Sequence, residues 1–113
     1  MKRTEITIYT KLGKIEKCDK LYAIKDDDVI KYIDLENNIM VVDMKNNLMT
    51  RENSDYIFNF DFNREEVLIV LKKLKMDVKK RIKTMHIMKD KKGYLIRYLL
   101  LDEQQLNEYY IKF

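Results

Sequence analysis

In YIFNFDF, residues 56–62, an extended chain puts Tyr56, Phe58, Phe60 and Phe62 on one side and Ile57, Asn59 and Asp61 on the other. A helix would scatter the four rings around its circumference, so the stretch reads as a strand with one buried face. The same period of two runs through TEITIYT, where Ile6 and Ile8 alternate with Glu5, Thr7 and Tyr9. It returns at the end of the chain, where Tyr109, Ile111 and Phe113 alternate with Tyr110 and Lys112. Between such runs stand DDD at 26–28, ENN at 36–38, KNN at 45–47 and RENSD at 51–55, about ten residues apart, and KDKKG at 89–93 closes the series. Asp and Asn tolerate the left-handed backbone of tight turns, and here they do so in a chain with no Pro and only Gly13 and Gly93. Short strands with regular turns predict an antiparallel meander that hides its edges by closing into a barrel or by being capped.

One segment fits two templates. On a helical wheel Val67, Val70, Leu71, Leu74, Val78, Ile82 and Met85 share an arc, and Asn63 with Glu66 resembles a capping pair. Ile69, Met76 and Ile87 fall on the far side of that wheel. As a strand, LKMDVKKRIKTMHIM at 74–88 turns Leu74, Met76, Val78, Ile82, Thr84 and His86 one way, with Lys80 the misfit, and Lys75, Asp77, Lys79, Arg81 and Lys83 the other. Periodicity does not separate the two.

With 113 residues the chain is expected to form one domain over residues 1–113. The longest apolar run is Val67 to Leu71, and the alternating N-terminus lacks a secretory apolar core, so a cytoplasmic address without a membrane partner is expected. Two isolated glycines do not make a phosphate-cradling loop, which disfavours nucleotide hydrolysis. Cys18 and His86 are the sole residues of their types, so no internal disulfide or zinc cluster is available. A Cys18–His86 nucleophile pair is a weaker reading than a small half-buried thiol and a hydrogen-bonded histidine at a strand end. Asp26, Asp27 and Asp28 read as a solvated turn, since a hard-cation loop needs more oxygen ligands and a glycine bend. Neither a cofactor nor a bound metal is expected, and binding is favoured over catalysis. Residues 72–92 hold ten Lys or Arg against Asp77 and Asp90, a local charge of +8, which leaves −4 for the remainder of a chain whose net charge is +4. A face of Lys75, Lys79, Arg81 and Lys83 suits salt-sensitive nucleic-acid binding as the alternative function, although no aromatic residue lies between 63 and 93 to stack on bases.

Taken in order, four pieces resemble the YwiB-like bacterial proteins of unknown function, whose fold is a calycin-like barrel related in shape to lipocalins and fatty-acid-binding proteins. They are LYAIKDDDVIKYIDLE at 21–36, NLMTREN at 47–53, LKMDVKKRIKTMHIM and GYLIRYLLL at 93–101. Asn53 stands where the family pattern has Gly, a substitution that suits a positive φ. The resemblance implies an all-β, small antiparallel calycin-like (lipocalin-like) barrel with strands over 74–88, and the local helical pattern adds one short helix around residues 63–72. It also implies an interior that takes a small amphipathic ligand, with Arg51 and Tyr98 at matching positions. Tyr32 in the preceding hairpin and His86 complete the candidate ligand-binding set. A buried arginine is costly unless paired, so an inward Arg51 should meet a carboxylate of the protein or of a ligand. A protein partner bound through an exposed edge strand is the other binding role expected, with a homodimer as its simplest form.

Overall fold

The computed structural model describes residues 2–113. Ten strands follow one another: β1 (Lys2–Leu12), β2 (Ile15–Asp26), β3 (Val29–Ile33), β4 (Ile39–Asp43), β5 (Leu48–Glu52), β6 (Tyr56–Asp61), β7 (Glu66–Leu71), β8 (Met76–Lys89), β9 (Gly93–Leu100) and β10 (Gln105–Lys112). Each pairs antiparallel with its sequence neighbours, and β1 closes on β10, with Thr7 opposite Lys112 and Leu12 opposite Asn107. The result is a closed up-and-down barrel, in which closure removes most of the edge that an open meander would expose. Among the described residues no helix is long and apolar enough to cross a membrane.

The turns follow from side-chain chemistry. Asp27, Asn37 and Asn47 adopt φ of 55°, 63° and 57°, the conformation their short polar side chains tolerate best. Asp43 and Asp61 each open a turn by accepting two backbone N–H groups on one carboxylate oxygen, from Lys45 and Asn46 and from Asn63 and Arg64. Asn53 does the same for Asp55 and Tyr56. It therefore acts through its side chain and not through the positive φ expected of it. Glu65, Lys75 and Gln104 also take positive φ, each at the last position of its turn.

The helix expected around 63–72 is absent. Phe62 to Glu65 form a turn and β7 follows, with Val67 opposite Phe60 and Lys80. A local helical preference there loses to two flanking strands that pair with β7 along its whole length and bury Val67. The strand reading of 74–88 holds for Val78, Lys80, Ile82 and Thr84. It fails at both ends: Leu74 lies in a turn, and a bulge between Thr84 and His86 reverses the alternation. His86 thus points outward and is exposed, while Ile87 packs against the core.

The interior is unevenly filled. Toward the end where β1 begins and β10 finishes, Ile30, Val42, Met44, Phe62, Tyr94 and Ile111 pack to near-zero exposure. Gly93 sits so close to β10 that a Cβ would lie 2.2 Å from the carbonyl oxygen of Ile111. Toward the other end, where the β1–β2, β3–β4 and β9–β10 turns lie, the barrel is hollow.

Candidate functional site

Alternation along β5 carries Met49 and Arg51 to the same face, so the strand that delivers a core methionine also delivers a guanidinium to the interior. Two cavities of about 260 Å³ each flank it. The first is bounded by Tyr32, Asp34, Glu36, Lys17, Asp19 and Met40, and the second by Phe58, Phe60, Val67, Ile69, Tyr98 and Leu100. Leu12, Arg51 and Tyr109 border both and form the partition.

Most charges around Arg51 are already committed. Asp34 accepts the N–H groups of Glu36 and Asn38 at 2.9 Å and the Asn38 amide at 3.0 Å, so its carboxylate is consumed in shaping the β3–β4 turn. Asn38, almost wholly buried, accepts in turn from the Asn53 amide at 3.0 Å. Glu36 is bonded to Lys17, and its second oxygen lies 3.8 Å from Arg51 Nη2, a loose contact. Lys80 pairs with Glu103 on the rim of the second cavity, which explains the polar misfit on the inward face of β8.

Arg51 has the Tyr109 hydroxyl beside it but is satisfied only in part. Its Nε is buried and has no hydrogen-bond partner among the described residues, and Cζ stands 6.0 Å from the ring centre of Tyr56. Burial acts against its charge and the carboxylates of Asp34 and Glu36 favour it; its pKa is raised and the guanidinium stays ionised. Burial likewise pushes the hydroxyls of Tyr32, Tyr98 and Tyr109 up, keeping all three neutral hydrogen-bonding groups. Tyr98 accepts from the Asn107 amide at 3.3 Å, and Asn107 Oδ1 accepts from Gly13 N–H and from the Gln105 amide. The arrangement can hold an acceptor-bearing anion against a half-buried cation and a set of neutral hydroxyls, beside an apolar wall.

Of the expected residues, the structure brings Arg51, Tyr32 and Tyr98 to the two cavities and leaves His86 outside. The basic set lies on the outer surface: Lys79, Arg81 and Lys83 project from β8 and Lys75 lies in the turn before it. Lys79 stands 3.7 Å from Glu66, and Arg81 is opposite Glu66 in register. Sequence reasoning does not single out Tyr109 and Asn107, although both share the parity of the apolar Ile111 and so belong to its inward face.

No protein-family model, curated protein or solved structure matches the chain.

Proposed function

We propose that this chain is a non-enzymatic binding module of calycin-like kind, and that its hollow end takes a small amphipathic ligand whose anionic head rests on Arg51. The buried, unpartnered Nε carries this reading. Leaving a charged donor without an acceptor costs on the order of 1–3 kcal/mol, which an incoming carboxylate would recover. The phenyl rings and aliphatic groups of the second cavity suit an apolar tail, and the neutral tyrosines suit the head. A volume of about 260 Å³ is small for a ligand site, equal to roughly nine liquid waters, so a short chain or a single ring is the expected size. The likeness to YwiB-like proteins agrees with this reading through the barrel, Arg51 and Tyr98. The outer basic face supports polyanion binding less well, because Glu66 of β7 lies beside Lys79 and Arg81 and no ring stands among its lysines.

Calorimetric titration with hexanoate and benzoate, each compared with the matching alcohol, tests the proposal. Both carboxylates should bind more tightly than their alcohols. Arg51→Met should weaken the carboxylates by roughly tenfold to a hundredfold while leaving the alcohols unchanged. Equal binding of acid and alcohol, or an Arg51→Met variant that binds acids as the parent does, would overturn it.

A further inference from the structure

Among the described residues the barrel's hydrogen-bonding is left open along stretches of β1, β2 and β8, and the stretch on β2 is the longest. β2 spans twelve residues, but β3 spans five and pairs only with Ala23–Asp26, while β1 accompanies β2 from Ile15 to Lys25. Residues 15–22 thus have β1 on one side and, among the described residues, no strand on the other. The two-residue turns between Leu12 and Ile15 and between Asp26 and Val29 fix which backbone groups face which way. Residues flanking such a turn bond to each other, and the sides alternate along the strand. Glu16, Cys18, Lys20 and Tyr22 therefore hold their N–H and C=O groups toward the open edge, and all four are exposed.

Natural edges are commonly blunted with lysine to prevent pairing. This edge instead reads Glu16, Lys17, Cys18, Asp19, Lys20, an order that complements itself when reversed. Laid antiparallel on its own copy about Cys18, it sets Glu16 opposite Lys20 and Lys17 opposite Asp19, twice each, and Ile15 opposite Leu21. Lys11 reaches Glu16 at 3.7 Å and Lys17 reaches Glu36, whereas Asp19 and Lys20 carry no salt bridge among the described residues. The register is also the correct one for the backbone, because even-numbered residues meet even-numbered residues and exchange their free hydrogen bonds.

We infer that two copies of this chain associate by antiparallel pairing of their β2 edges, about a two-fold axis through Cys18. A symmetric pair satisfies both open edges at once and closes the assembly at two subunits. The axis places the two Cys18 Cα atoms about 5.5 Å apart, within the span of a disulfide, so the thiol serves as a built-in reporter of register.

Sedimentation velocity of the full chain over a range of concentrations, with diamide trapping under native conditions, tests the inference. Expected is a reversible dimer in which diamide joins Cys18 to Cys18. Lys20→Glu, which sets like charges opposite each other at two places, should weaken the dimer by roughly tenfold, and Glu16→Lys with Lys20→Glu should restore it. In a Cys18→Ser background, Lys20→Cys alone should not be trapped, because the two positions stand about 13 Å apart, but Glu16→Cys with Lys20→Cys should be. A chain that stays monomeric at every concentration, a charge exchange that fails to restore the dimer, or trapping that ignores position would each overturn it.

Discussion

Lys75 adopts φ of 48°, where an L side chain crowds the following carbonyl at a cost of about 1–2 kcal/mol. Glycine removes that clash and returns part of the gain as unfolded-state entropy. Lys75→Gly should therefore raise stability by about 0.5–1 kcal/mol in urea denaturation. Asp43 makes the opposite kind of contribution. Burial pushes its carboxyl up, but hydrogen bonds from the Asn46 amide and from the N–H groups of Asn46 and Lys45 outweigh it and hold its pKa below the ordinary value. A depressed native pKa stabilises the fold above the unfolded-state value of about 3.9 and loses that contribution as pH falls through the native value. Asp43→Asn should flatten the pH dependence of stability in that acid window and leave its shape near neutrality unchanged, as urea midpoints across pH will report. Such turns are partly legible in the sequence. Asp27, Asn37 and Asn47 announce positive φ by residue type, whereas Glu65, Lys75 and Gln104 do not, because the turn geometry imposes the conformation on whatever residue arrives there.

At the level of single strands, β6 is readable from its rings alone, since an unbroken alternation leaves no second template. β8 is not. Its inward face carries Lys80, whose partner Glu103 lies 23 residues away, and its alternation reverses at the Met85 bulge. Neither a long-range ion pair nor an extra residue in a ladder leaves a local mark, so sequence alone assigns His86 to the face it would occupy in a regular strand. β9 depends on the absence of a side chain at Gly93. Because an added methyl would lie 2.2 Å from the Ile111 carbonyl oxygen, Gly93→Ala must force β9 and β10 apart. The expected loss is about 3 kcal/mol by thermal or urea unfolding, and a loss below about 0.5 kcal/mol, as at an open surface site, would show that the two strands are less tightly apposed.

For the molecule as a whole, meander topology and closure follow from regular alternation and evenly spaced turns, both of which are plain in the sequence. What alternation does not reveal is how the interior is divided. Inward parity places Arg51, Tyr98 and Tyr109 inside, but whether they meet packed side chains or open space depends on all ten strands together. The structure fills one end with Ile30, Val42 and Phe62 and leaves the other hollow around a guanidinium with a buried free donor. That division is the centre of the account. It is tested most directly by following the side-chain Nε–Hε resonances of the five arginines during titration with hexanoate. The Arg51 signal should move and saturate with the acid while those of Arg3, Arg64, Arg81 and Arg97 stay in place, and hexanol should move the Arg51 signal less and at higher concentration. An Arg51 signal that stays fixed while hexanoate saturates the protein would contradict the account.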